Sequence, residues 1–164
     1  MDNPFFNNNG PFKFRDILKD LNLKNYENNH DQNIIDIKDL KNSNSNEITF
    51  FHSKKYKVAA NNTKASFCIT TKSLENELPK DCIPIIVDNV LVSTSMVTAK
   101  FYPDSISDDF DETVEEINST KFSDKVKFGK NVLLGKNISI GLNCTIGHNT
   151  IIEKNVTIGN NCSI

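Results

Sequence analysis

The sequence lacks the features that several large classes of protein require. No apolar run approaches the roughly 18 residues of a membrane-spanning helix. The N-terminus MDNPFF has neither the basic start nor the apolar core of a signal peptide. The net charge of −2 is spread along the chain, so there is no basic surface for nucleic acid. We therefore expect a cytoplasmic protein with no membrane span and no nucleic acid partner.

Metal-ligand patterns are also missing. None of the cysteines has a C-x-x-C spacing, and none clusters with His52 or His148. We therefore expect no metal site and, in the cytoplasm, reduced thiols. The four cysteines are Cys68, Cys82, Cys144 and Cys162.

The first two thirds of the chain alternate between strand and helix patterns. Strand candidates rich in β-branched and aromatic residues cover 47–51 (EITFF), 65–71 and 83–87. Helical spacing predicts helices over 12–21, 54–61 and 89–102, the last with Val92, Ser95, Met96 and Ala99 on one face. This alternation predicts an α/β domain over residues 12–103, behind a flexible arm at 1–11. The acidic stretch 104–117 is interpreted as a solvated linker.

A period of six residues begins at Phe122. Such a period over seven consecutive units is not expected by chance, and the predicted repeat domain covers 118–164. The second position is mostly glycine, the fourth is asparagine six times in succession, and the fifth is small or β-branched. The first position is always apolar: Phe122, Phe128, Leu134, Ile140, Ile146, Ile152, Ile158 and Ile164.

The period indicates a chain that runs straight, turns by about 120°, and repeats, so that three hexads make one coil. The first and fifth positions then face a triangular interior. Glycine is expected where the backbone turns without a Cβ penalty, and asparagine where a corner needs left-handed dihedral angles. Residues eighteen apart sit above one another, about 4.8 Å apart. Cys144 and Cys162 should therefore be stacked inward thiols, favoured as small core fillers over a redox pair.

This repeat resembles that of the hexapeptide-repeat proteins. The resemblance implies a left-handed parallel β-helix, whereas generic connection rules favour right-handed crossovers. Most members of this class are acyltransferases that work as trimers with active sites between neighbouring prisms. The same repeat also occurs in γ-class carbonic anhydrases and nucleotidyltransferase fusions, so the fold alone does not fix the chemistry.

A second resemblance lies in the α/β part. The run Ile48-Thr49-Phe50-Phe51-His52-Ser53-Lys54-Lys55-Tyr56, followed by Thr63-Lys64-Ala65-Ser66, is similar to the N-terminal domain of the UDP-3-O-acylglucosamine N-acyltransferases. The order of the two domains agrees as well. The resemblance implies a lipid A biosynthetic enzyme that moves a 3-hydroxyacyl group from acyl carrier protein to the amine of UDP-3-O-acylglucosamine. It implies a homotrimer in the full-length protein and no cofactor or metal.

The same resemblance implies a nucleotide site. By position, Phe50 and Tyr56 sandwich the uracil ring, and Ser53 stands where the family often has an asparagine that hydrogen-bonds the base edge. A nucleobase offers a π face for such stacking. The alternative is that Phe50 and Tyr56 are core residues of the strand and helix.

No catalytic residue is assigned to this sequence. The resemblance implies a histidine general base in a later coil, whereas His148 belongs to an early hexad and is predicted to be a surface residue. His52 has no obvious base partner, and His30 falls in a predicted loop. We therefore expect an N-terminal part of a longer enzyme, inactive alone because the base lies beyond Ile164. Two alternatives stay open, another hexapeptide-repeat acyltransferase acting on a nucleotide sugar and a non-catalytic trimeric scaffold.

Overall fold

The computed structural model describes residues 5–23, 31–106, 110–117, 122 and 125–164. The chain forms two compact units, one of Phe6–Ser107 and one of Met1–Phe5 with Asp108–Ile164. We call the first the α/β unit and the second the coiled unit. In the described part of the chain, no helix is both long enough and apolar enough to cross a membrane.

The α/β unit contains all the helices and strands predicted before residue 103, with their ends shifted by one or two residues. A single turn of 3₁₀-helix (Lys54–Tyr56) precedes the second helix. The elements are β1 (Phe12–Lys13), α1 (Phe14–Asp20), β2 (Asn33–Ile34), β3 (Asp36–Ile37), β4 (Glu47–Phe51), α2 (Lys57–Asn61), β5 (Phe67–Thr70), β6 (Ile83–Ile86) and α3 (Val90–Phe101).

A four-stranded parallel sheet in the order β3-β4-β5-β6 organises this unit. All residues of β5 are buried, as is typical of a parallel sheet that is covered on both faces. Alternate side chains reach different cores: Phe67 and Ile69 pack with α1 and α3, whereas Cys68 packs with Phe51 and Ala60. The sheet is therefore buried between two apolar layers.

Helix α3 buries a different face from the predicted one. Its buried residues are Val90, Val97 and Phe101. Val92 and Met96 of the predicted face are exposed. The apolar residues of this helix are distributed around its axis, so spacing alone selected the wrong face.

The described part of the predicted arm is attached to the α/β unit. The backbone N–H of Asn9 donates to the carbonyl of Phe101 at 2.8 Å. The side-chain amide of Asn8 donates to the carbonyl of Ile35 at 3.0 Å. Residues 1–4 of the predicted arm lie outside the described residues. At Asn8 and Asn9, the prediction of a loose arm was wrong, because these residues have hydrogen-bond partners elsewhere in the unit.

The coiled unit is a parallel β-helix with three faces. Each of its strands from β8 onwards pairs in parallel with the strand eighteen residues away, as in Lys127 with Thr145 and Leu133 with Ile151. This register confirms the predicted coil of three hexads. The strands are β7 (Glu115–Glu116), β8 (Lys127–Phe128), β9 (Leu133–Leu134), β10 (Ser139–Ile140), β11 (Thr145–Ile146), β12 (Ile151–Ile152) and β13 (Thr157–Ile158).

The corner asparagines take the predicted backbone conformation. All six have φ between 56° and 64°, in the left-handed region. Their side chains also form three columns along the coil, because the amides of the first three asparagines donate to the three asparagines of the next coil at 3.0 to 3.2 Å. First-position and fifth-position side chains share one apolar core, as predicted. The asparagines are Asn131, Asn137, Asn143, Asn149, Asn155 and Asn161.

The glycines of the repeat serve a different purpose from the predicted one. No glycine has a positive φ, so none is needed for a left-handed turn. A Cβ atom added to Gly129 would instead lie 2.5 Å from the backbone nitrogen of His148 in the next coil. At Gly129, Gly135 and Gly141, glycine is therefore required by the close approach of the next coil, whereas a Cβ atom at Gly159 would have no neighbour within 4 Å.

The acidic segment is part of the coiled unit from residue 110 onwards, so the prediction of a solvated linker was wrong there. Strand β7 pairs antiparallel with β9 and covers an edge of that strand. Asp111 is buried, and its carboxylate accepts the backbone N–H of Lys154 at 2.7 Å. The hydroxyl of Thr113 accepts the N–H of Lys136 at 3.0 Å. Residues 107–109 lie outside the described residues.

Candidate functional site

A pocket of about 290 Å³ lies beside the carboxyl end of β4 in the α/β unit. Ligands of open parallel sheets commonly bind at this end of the strands. The wall combines aromatic side chains from the end of β4 and the following turn with residues from the β3–β4 loop and from α2. The lining residues are Asp39, Leu40, Lys41, Phe50, His52, Tyr56 and Ala59.

Phe50 and Tyr56 both line this pocket, although they come from a strand and from the turn after it. Phe50 is half-buried against the core, whereas Tyr56 is 42% exposed. The alternative that both are core residues therefore fails for Tyr56. Their arrangement presents two aromatic rings to a shared space that a planar ligand could enter.

His52 is a third ring in the pocket. From the sequence it was considered only as a possible general base. The centroid of its imidazole lies 6.5 Å from that of Phe50, with the ring planes 23° apart. The distance to the ring centroid of Tyr56 is 5.4 Å, with a tilt of 49°. The sequence could have indicated this position. Residues two apart on an extended chain share a face, and His52 follows Phe50 at that spacing.

Ser53 has a structural task in the turn that precedes α2. Its hydroxyl oxygen accepts the backbone N–H of Lys55 at 3.4 Å, as an N-cap of the 3₁₀ turn. Ser53 is not one of the described residues that line the pocket. The structure therefore brings Phe50 and Tyr56 together and leaves Ser53 in the backbone turn between them.

The second half of the family signature anchors the loop that forms the opposite wall. Thr63 is buried, and its hydroxyl lies 2.9 Å from that of Ser43, which is also buried. Ala65 is buried in the core beside Leu40. A threonine and a small apolar residue at these positions thus hold the β3–β4 loop against the rest of the unit.

Charged groups at the pocket come from this loop. Asp39 accepts hydrogen bonds from the side chain of Asn42 at 2.6 Å and from the backbone N–H of Lys41 at 2.8 Å. The hydrogen bond from the side chain of Asn42 lowers the pKa of Asp39, and the backbone hydrogen bonds and the charge of Lys41 act in the same direction against burial. Asp39 is therefore an ionised turn residue, and Lys41 brings a cation to the pocket.

The remaining candidate groups give no acid–base or nucleophilic centre in the described residues. His148 is exposed, as predicted, and its Nδ1 accepts the backbone N–H of Lys130 at 2.6 Å. His30 lies outside the described residues. All four cysteines are free. A hydrogen bond with Cys82, together with burial, raises the pKa of the Cys68 thiol, which disfavours the thiolate.

Comparison with known proteins agrees with the resemblance found in the sequence. The family model of UDP-3-O-(3-hydroxymyristoyl) glucosamine N-acyltransferase, LpxD, matches residues 31–99. No curated protein matches the chain. The matched range contains every residue that lines the pocket. The resemblance is thereby confirmed, since residues 31–99 match the model of the LpxD family of N-acyltransferases.

Proposed function

We propose that the pocket of the α/β unit binds the uracil ring of a UDP-linked 3-O-acylglucosamine, stacked on Phe50 and Tyr56. The observation that carries this proposal is the placement of both rings in one pocket within the range that matches the family. An aromatic ring stabilises a stacked base by about 1–3 kcal/mol. Ser53, expected at the base edge, caps the turn that contains Tyr56 and does not line the pocket.

The reaction we propose is transfer of a 3-hydroxyacyl group from acyl carrier protein to the sugar amine. The amine nitrogen attacks the thioester carbonyl, an N–C bond forms, and the C–S bond breaks. A general base accepts the amine proton and returns it to the departing thiolate, so that the carrier's thiol is released. The pocket contributes binding and orientation of the nucleotide end of the substrate, at a distance from the reacting atoms.

The architecture that accompanies this function is a left-handed β-helix of hexapeptide repeats, assembled as a homotrimer in the full-length protein. Support comes from the eighteen-residue register of the coiled unit and from the family of residues 31–99. An acyl carrier protein donor implies that the reaction takes place in the cytoplasm.

Isothermal titration of the chain with UDP tests the site. We expect binding by the wild-type protein, weakened about 5- to 150-fold in Phe50→Ala and in Tyr56→Ala because one stacking partner is lost. Phe110→Ala is the control, since Phe110 is a largely exposed aromatic residue of the coiled unit. Circular dichroism should show that all variants are folded.

Two results would contradict the proposal. One is the absence of UDP binding by folded wild-type protein at millimolar concentration, which would favour a non-catalytic scaffold. The other is an equal affinity for UDP in the wild-type protein and in both pocket variants.

A further inference from the structure

We propose that His52, and not Ser53, hydrogen-bonds the edge of the base in this pocket. This inference rests on the proposed function, because it assigns a further contact within the same nucleotide site. It makes His52 the polar contact of the base edge, whereas Phe50 and Tyr56 stack on the faces of any base.

The side chain of Ser53 does not line the pocket. Its hydroxyl oxygen accepts the N–H of Lys55 within the turn. A hydroxyl also lacks the paired donor and acceptor of the asparagine amide that the family often has here. The base-edge contact therefore needs another polar group from the described residues of the wall.

The imidazole of His52 lies close to both stacking rings. His52 lines the pocket and is exposed, with its ring 5.4 Å from Tyr56 and 6.5 Å from Phe50 between centroids. A base stacked on both sides needs roughly 7 Å between its two partners, about 3.5 Å on each face. Neither distance leaves room for a base between His52 and its neighbour. We therefore infer that the imidazole lies beside a base stacked on Phe50 and Tyr56, where it faces the edge of the base.

The imidazole can also pair chemically with the edge of uracil. A neutral imidazole has one N–H donor and one acceptor nitrogen, and the tautomer adapts to its partner. Uracil offers carbonyl oxygens as acceptors and a ring N–H as donor, so either imidazole nitrogen has a partner on the base. The other polar groups of the wall are less suitable, because Asp39 is held in its turn by Asn42 and Lys41 has no acceptor.

The test compares UDP and CDP as titrants of the wild-type chain and of His52→Phe, His52→Gln and Ser53→Ala. His52→Phe keeps a ring but removes both nitrogens, so we expect UDP affinity to fall about 3- to 10-fold and any preference for UDP over CDP to approach one. His52→Gln restores a donor and an acceptor and should recover most of the affinity and of the preference. Ser53→Ala should lose less affinity than His52→Phe.

Phe50→Ala separates the failure of this inference from failure of the proposed function. If Phe50→Ala weakens UDP binding while His52→Phe binds like the wild type, the nucleotide site stands and the assignment of His52 is wrong. The assignment is also wrong if Ser53→Ala loses more affinity than His52→Phe. A rise in affinity for His52→Phe would also overturn it, because the imidazole would then obstruct the base. If the folded wild-type chain does not bind UDP, both proposals fall together.

Discussion

The two units of this chain differ in how closely their sequences determine their structures. In the repeat of the coiled unit, residues six positions apart have similar burial and backbone conformation, so a single rule identifies the inward side chains and the asparagine corners. In the α/β unit, the decisive contacts join distant segments, such as the ring of Phe14 packed 4.0 Å from that of Phe67 between centroids. The periodic sequence therefore predicts which individual side chains are buried. The non-periodic sequence predicts the helices and strands but not which of their faces are buried.

The largest effect that would test this comparison concerns the glycines. Gly129→Ala places a Cβ atom against the backbone of the next coil, so we expect the free energy of unfolding to fall by about 1–3 kcal/mol. Urea unfolding followed by circular dichroism measures the change. The cause is close approach between coils, because Gly129 has no positive φ that alanine could not adopt.

Gly159→Ala is the matched control from the same position of another hexad. A Cβ atom there has no neighbour within 4 Å. We expect stability to be unchanged or raised by up to about 1 kcal/mol, since alanine restricts the unfolded chain. Equal destabilisation of both variants would contradict the stacking explanation and restore the turn explanation.

The next effect concerns the corners. Asn137 has φ of 58° and donates its amide to Asn155 at 3.0 Å. Asn137→Ala should cost about 1–2 kcal/mol from the left-handed backbone alone. Asn137→Gly can adopt the same backbone conformation and loses only the side-chain hydrogen bond, so it should lose less free energy of unfolding than Asn137→Ala. This order is the reverse of the one usual in helices and strands, where alanine is more stable than glycine.

Asn46 extends this prediction to the α/β unit. It has φ of 64°, and its side chain accepts a hydrogen bond from Gln32 at 2.8 Å. Asn46→Ala should again be less stable than Asn46→Gly, and thermal unfolding measures the difference. If glycine is more stable than alanine at Asn137 but less stable at Asn46, the preference at the corners comes from the repeat and not from the left-handed dihedral angle.

The smallest effect is a dependence on pH that belongs to the coiled unit. Burial acts to raise the pKa of Asp111, but hydrogen bonds from Thr113 and from the backbone N–H of Lys154 lower it below the ordinary value. A depressed carboxyl pKa stabilises the folded state above the unfolded pKa of about 3.9, and this stabilisation is lost as the pH falls through the folded value. Asp111→Asn should be less stable than the wild type at pH 7.

The difference in stability between wild type and Asp111→Asn should narrow as the pH falls below about 4, because the carboxyl group becomes protonated first in the unfolded chain and at lower pH in the folded protein. Thermal unfolding between pH 7 and pH 3 measures it. Glu112→Gln removes the same charge from an exposed neighbour and serves as the control. A gap between wild type and Asp111→Asn that is constant with pH would show that the carboxylate charge is not responsible.

Much of the fold could be predicted from the sequence, and the exceptions have identifiable causes. The EITFF strand and the asparagine corners follow from local preferences, so they were found at their residues. The acidic segment was misjudged because its strand forms only by pairing with Leu133 and Leu134, which lie in another part of the sequence. The face of α3 depended on which side the sheet covers, and spacing within the helix carries no such information.

The candidate site was predictable in part for the same reason. Phe50 and Tyr56 were identified from the family motif, which covers a short continuous run. The wall formed by Asp39, Leu40 and Lys41 comes from a loop that the motif does not include. The engagement of Ser53 depends on the turn geometry, which only the structure reveals. Local sequence thus indicated the rings, and tertiary structure supplied the remaining surface.

The asparagine columns give the coil a direction and a unit of length. In each column the amide of the earlier coil donates to the later one, so the three corners point the same way. An internal duplication of eighteen residues would extend every column and return each side chain to its own face. An insertion of six would keep inward residues inward but move all later strands to a neighbouring face. We therefore expect this protein to tolerate insertions of whole coils. The insertion of a single hexad would instead change which strands form each face.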